Sequence, residues 1–315
     1  MRSRKFVAFA WFFVLYLLAV ILFGAWVRIT GSGNGCGSHW PACNGEIIPQ
    51  APEMKTLIEY THRLMTGLCG IFAVVLVFWS RRMSGPIFRA SLMALCFLIV
   101  EALLGAVLVK RHLVVDDASV ERAYAVALHL ANTLLLTASA ALVAWRASLR
   151  HDEATFVPPA APIARILLGF ALLVVLLTSV TGAVTALGDT VFPTQPALDG
   201  TLLAKIQADT SPSQHFLVRL RVIHPAIAAI AALLVAGVLV ATIARRGNEG
   251  TARMQLAVFA LCAVVCQTGV GIFNVLLAAP AWIQIVHLLL AQSVWIFTWL
   301  VFLASASKPY VRRSW

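Results

Sequence analysis

Eight long stretches of nearly unbroken apolar residues run along the chain, at Phe6–Val27, Leu57–Ser80, Pro86–Val109, Ala123–Trp145, Ile163–Leu187, Val218–Ile243, Met254–Ala278 and Ala281–Ala304. A helix crosses a bilayer with roughly 20 apolar residues, so each stretch is long enough to span. The pattern predicts an all-α polytopic membrane protein with eight transmembrane helices. Two of the connections are long, about Arg28–Thr56 and Gly188–Leu217, and both fall on the same side. The first stretch has a basic start (Met1–Lys5) like that of a signal peptide. Its apolar run is too long for one, which predicts an uncleaved first helix.

Composition narrows the class. The chain is 61% hydrophobic and 12% charged, far from the mix of a soluble domain. A soluble enzyme, a disulfide-rich secreted module, a disordered chain and a porin-like barrel are all excluded. The net charge of +11 suggests a nucleic-acid partner until the cations are placed along the chain. With a cytoplasmic N-terminus, fifteen of the 24 basic residues fall on inside segments, among them Arg2, Arg4, Lys5, Arg81, Arg82, Arg245, Arg246, Arg253, Arg312 and Arg313. Three acids (Asp152, Glu153, Glu249) accompany them, and acids and bases balance outside. The surplus is a positive-inside signal. It predicts a multi-pass membrane protein with both termini cytoplasmic, surrounded by lipid and without a nucleic-acid partner. An oligomer of identical chains is compatible with the sequence.

The two long connections follow the first and fifth spans, which suggests an internal repeat. Gly24-Ala25 near the end of the first span matches Gly182-Ala183 in the fifth, and Glu101 with Gly105 matches Gln267 with Gly271. His62 matches His224, and His129-Leu130 matches His287-Leu288. This predicts two four-helix bundles fused in tandem, residues 1–150 and 151–315, in one orientation.

The histidines carry the chemistry. His62, His129, His224 and His287 fall one each on spans two, four, six and eight, all within about seven residues of the outer end. A buried ionisable residue in a membrane is costly and points to function. One such histidine alone is more often a packing residue. Four at one depth, two per bundle, are what axial ligation of haem iron requires. A zinc or copper site would cluster its ligands at short spacing with cysteine or carboxylate help, and these do not. Cytochrome b-type carriers put two histidines on one helix, and no span here has two.

Glu59 and His62 are i, i+3 neighbours on one helix face. A carboxylate there suits acid–base work or stabilisation of developing positive charge, and equally an ordinary acidic helix start. The second half has Arg221 at the matching place, so one half carries a reactive-looking carboxylate and the other does not. Arg63, Arg219 and Arg221 stand where haem propionates or plain helix flanks would want cations. Glu101 has no evident partner. Cys69, Cys96, Cys262 and Cys266 read as small packing residues. Cys36 and Cys43, in the first outer loop, are expected to form a disulfide in an oxidising compartment, either structural or exchangeable.

In order, spacing and topology, Gly31-Ser32-Gly33 with Cys36, Trp40-Pro41 and Cys43, then Glu59, His62-Arg63, His129-Leu130, His224-Pro225 and His287, resemble the heme A synthase family. That resemblance spans nearly the whole chain. It implies oxidation of the C8 methyl of haem O to a formyl group by successive hydroxylations, in haem A biosynthesis for cytochrome c oxidase. It implies haem O as substrate on His62 and His129 with Glu59 catalytic, and haem b as cofactor on His224 and His287. It gives the Cys36–Cys43 pair a structural or electron-transfer role. It suggests haem O synthase (protohaem farnesyltransferase) as a partner handing over the substrate. Gly37-Ser38-His39 depart from the Pro-Asp common after the first cysteine, and Glu101 stands where glutamine is expected. A bis-histidine diheme electron carrier or quinol oxidoreductase, and a haem transporter, are the competing readings.

Overall fold

A computed structural model describes residues 4–149, 161–193, 202–244 and 251–305, without the side chains of 251 and 252. Among them lie nine helices and no strand: α1 Arg4–Ile29, α2 Met54–Ser80, α3 Gly85–Lys110, α4 Val120–Ser148, α5 Pro162–Val191, α6 Leu202–Asp209, α7 Phe216–Ala244, α8 Thr251–Leu276 and α9 Ala281–Ser305. Eight of these are long and apolar enough to cross a membrane, which leaves α6 as a short helix in the connection between α5 and α7. The chain is a multi-pass membrane protein. The inside-flanking charges Arg2, Arg150, Asp152, Glu153, Arg245, Arg246, Glu249, Lys308, Arg312 and Arg313 lie outside the described residues. Arg253, counted among the flanking cations, is buried at the start of α8.

The helix ends follow from local chemistry. Pro86 and Pro162 sit in the first turns of α3 and α5, where no intrahelical N–H is lost. Ser119 caps α4, its hydroxyl accepting from the Arg122 N–H at 3.1 Å. Helix α5 continues to Val191, past the Gly188 expected to begin the loop. Arginines satisfy the carbonyls at its end: Arg28 takes Ala186 O at 2.6 Å, and Arg221 takes Gly188 O at 3.2 Å and Phe192 O at 2.6 Å. Pro225 lies inside α7 directly after His224. It leaves the Arg221 carbonyl without its helical donor.

Helices α1 to α4 pack as a closed ring of neighbours in chain order, so α2 and α4 stand diagonally. Helices α5, α7, α8 and α9 do the same, with α7 and α9 diagonal. The rings join where α4 and α1 meet α5 and α9. Lipid is as apolar as leucine, so close packing and hydrogen bonds have to hold that seam. Helix α4 supplies both. Ala138, Ala140, Ala141, Ala144 and Ala147 are buried along it. Trp295 and Trp299 of α9 donate their indole N–H groups to Leu134 O at 2.7 Å and Ala138 O at 3.0 Å. Such interhelical bonds are each worth about 1 kcal/mol. Cys69 is buried as expected, whereas Cys96, Cys262 and Cys266 are exposed on outer helix faces and do not pack the core.

Candidate haem sites

The four helical histidines sit at matching heights. His62 is eight residues into α2, His129 nine into α4, His224 eight into α7 and His287 six into α9. Each ring therefore lies roughly 9–14 Å from the helix start. The diagonal helices bring them together in pairs. His62 and His129 are within electrostatic reach of each other, as are His224 and His287.

Glycines on neighbouring helices make room for three of these rings. A Cβ on Gly24 of α1 would stand 3.0 Å from His62 Cε1, one on Gly182 of α5 3.0 Å from His224 Cε1, and one on Gly271 of α8 3.1 Å from His287 Cε1. Phe23 stacks beside His62 with ring centroids 6.2 Å apart. The ring nitrogens are differently served. Thr181 Oγ1 is 2.9 Å from His224 Nδ1, and the Gln267 amide nitrogen is 3.2 Å from His287 Nε2. The Nδ1 atoms of His62, His129 and His287 are buried without a hydrogen-bond partner. Paired imidazoles with unsatisfied nitrogens, seated where no Cβ intrudes, fit axial ligation of a flat macrocycle. Among the described residues no cluster of three or more His, Cys, Asp or Glu could hold a bare metal ion.

Glu59 is buried, and both of its oxygens are engaged. Oε2 accepts the Cys36 N–H at 2.8 Å and Oε1 pairs with Arg63. Arg63 also donates to His39 O at 2.7 Å and to Pro41 O and Ala42 O. Cys36 and Cys43 form a disulfide. Gly35 brings this loop against α2 so closely that a Cβ would lie 2.4 Å from Lys55 O. The chain thus ties the disulfide loop to the helix of His62 through Glu59 and Arg63. His39 is exposed in that loop, away from the helical pairs.

In the second half Arg221 pairs with Asp189 at 2.9 Å and approaches Asp209 of α6 at 3.8 Å. Arg63 and Arg221 are thus occupied by carboxylates and loop carbonyls. Arg219 is exposed. Arg28 of α1 reaches across the seam, donating to Thr190 and, at 2.9 Å, to Gln284 Oε1 of α9.

Glu101, without a partner by sequence, has two hydrogen-bond donors and a histidine ring nearby. Asn132 Nδ2 and Thr133 Oγ1 donate to its two oxygens, and His129 Nδ1 is 3.5 Å from Oε1. The signal was present in the chain. Asn132 and Thr133 follow His129 by three and four residues and so share its face of α4.

Residues 7–299 match the model of the COX15-CtaA family, described as cytochrome oxidase assembly protein. The chain belongs to this family. It is 42% identical over 315 residues to a protein of Thermus thermophilus named protoheme IX farnesyltransferase, an alignment covering 95% of this chain and 48% of that protein. It is 38% identical over 109 residues to heme A synthase of Exiguobacterium sibiricum, covering 33% of this chain and 36% of the relative. Heme A synthase of Lysinibacillus sphaericus is 45% identical over 93 residues, covering 29% of this chain and 30% of the relative. The chain spans about half the length of the Thermus relative. Within the cytochrome oxidase assembly family the two histidine pairs fall inside the matched region.

Proposed function

We propose that this membrane protein is a heme A synthase, an oxidoreductase that converts the C8 methyl of haem O to a formyl group by successive hydroxylations. The observation that carries the reading is the two diagonal histidine pairs, three of whose rings are seated on helix glycines, in a chain of the cytochrome oxidase assembly family. Residues 1–150 form the substrate half and residues 151–315 the cofactor half. His224 and His287 hold haem b, and His62 and His129 hold haem O. Haem b supplies one-electron redox chemistry when bound.

The remaining work falls to the chain. Gly182 and Gly271 let the His224 and His287 rings lie flush with their neighbouring helices. Thr181 fixes the His224 ring through Nδ1, which leaves Nε2 to ligate. The apolar helices exclude water, and a lipophilic substrate reaches them from the membrane. Glu59, one turn before His62, is the catalytic carboxylate. Buried against Arg63 and the Cys36 N–H, it is held in place, suited to accept a proton or to stabilise positive charge at the neighbouring methyl. The disulfide loop supports it from outside.

The partner that supplies the substrate is a protohaem farnesyltransferase. A Thermus protein with that name aligns with nearly all of this chain over less than half of its own length. Both termini face the cytoplasm, a reading supported by the inside-segment cations.

The test is extraction of pigment from protein purified out of cells that make haem O, with identification by chromatography and mass spectrometry. Haem b together with haem O, haem A or a hydroxymethyl intermediate is expected. Haem b alone, in cells that form no haem A, would leave a diheme electron carrier as the better reading.

A further inference from the structure

The four histidines are not held alike. His62, His224 and His287 each lie against a glycine of a neighbouring helix, so closely that a Cβ there would push on the ring. The repeat aligns Gly105 of α3, four residues after Glu101, with Gly271 of α8, which follows Gln267 by four and faces His287. Yet no atom lies within 4 Å of a Cβ built on Gly105. The His129 ring is elsewhere, with Nδ1 3.5 Å from Glu101 Oε1 and a third of its side chain exposed. Glu101 does not wander, because Asn132 and Thr133 hold both of its oxygens. In the second half the same helix position carries a neutral amide, Gln267, and the ring keeps its place over Gly271.

The His129 ring therefore has two seats. One is the open place over Gly105, equivalent to where the other three rings sit. The other is beside a fixed carboxylate with which an imidazole N–H can form a charge-assisted hydrogen bond. We propose that His129 is the exchangeable ligand of the four, and that Glu101 is the positioning residue that receives its ring when it leaves the seat over Gly105. This rests on the proposed function and deepens it. A haem with two histidines has no free coordination position, and this device frees one in the substrate half while the cofactor half stays closed.

Carbon monoxide reads the difference, because it binds ferrous haem only where an axial position is free. Full-length protein carrying haem in both halves is reduced and exposed to carbon monoxide, and the Soret change is measured. The proposal expects binding to about one haem of the two. Glu101→Gln, which restores the amide of the second half, should lower carbon monoxide affinity about tenfold and raise the low-spin six-coordinate fraction. Gly105→Val, whose Cβ meets open space and so leaves the fold intact, should block the seat. It should move the substrate-half haem to a five-coordinate high-spin spectrum with full binding. Opposite shifts in the two variants are something a merely structural role would not produce.

Binding to both haems or to neither, or equal shifts in both variants, would overturn the proposal and leave the proposed function intact. Protein that retains haem only through His224 and His287 would overturn both.

Discussion

Each half of the molecule places an arginine close to its first histidine, yet the two arginines organise opposite surroundings. Arg63, one residue after His62, pairs with a carboxylate from its own helix, Glu59, and gathers the carbonyls of the disulfide loop. Arg221, three residues before His224, pairs with Asp189 of the neighbouring helix and gathers the end of α5. Both clamp an outer loop. Only the first leaves a carboxylate beside a histidine. The comparison separates a shared structural task, closing the outer end of a bundle, from a task assigned to one half. A repeat can keep its histidines at matching helix positions and change what surrounds them. The halves differ again at depth, with Glu101 and an empty glycine seat against Gln267 and a filled one.

The largest break in that comparison should come from Glu59→Gln. It keeps the shape of the side chain and removes its charge, so haem O conversion should fall by about a hundredfold or more, as for loss of a general acid–base group. Haem content should stay within about twofold of the parent, since the substitution leaves the histidine ligands in place. Haem A formation in membranes, set beside the pyridine haemochrome spectrum, checks both. Loss of haem along with activity would assign Glu59 to the loop alone.

Next come the glycine seats. Gly24→Val and Gly182→Val each force a Cβ to 3.0 Å from an imidazole carbon, and the ring must yield. Each should lower haem retention several-fold in its own half and leave the other half loaded. Resolved haem b and haem O content after purification measures this.

These features are unequally legible in the chain. The eight spans, the repeat and the four histidines can be read directly, because lipid demands long apolar runs and the histidines recur at fixed places. The seats of His62 and His224 are foreshadowed by the matched Gly24 and Gly182, and that of His287 by Gly271, but a glycine's use against a ring depends on helix rotation, which spacing does not fix. The partners of Glu101 are only half legible: Asn132 and Thr133 share the His129 face of α4, but which residue of α3 they meet depends on how the two helices are rotated against each other. The extra helix α6 reads as loop, since its eight residues are too few and too polar to stand out beside a 26-residue span such as α1. The exposed Cys96, Cys262 and Cys266 mislead for a membrane-specific reason: an apolar helix gives no sequence sign of which face meets lipid.

A smaller effect is expected from Arg28→Ala. Arg28 ties α1 to Ala186 and Thr190 of α5 and to Gln284 of α9, so its loss strips hydrogen bonds from the seam between the rings. Thermal stability in detergent should fall by about 1–3 kcal/mol, with both haem sites keeping their spectra. The smallest change should follow Cys36→Ser with Cys43→Ser. Glu59 accepts from the backbone N–H of residue 36, which serine retains. If the disulfide is structural, activity should fall only a few-fold, and a loss matching that of Glu59→Gln would instead assign the cysteines to electron transfer.

The central claim is the division of labour between the two histidine pairs, and the pigment retained by single-ligand variants tests it most directly. His62→Ala is predicted to lose haem O and its oxidation products while keeping haem b. His224→Ala is predicted to lose haem b while still binding haem O. Loss of both pigments from either variant, or haem b following His62, would contradict the account.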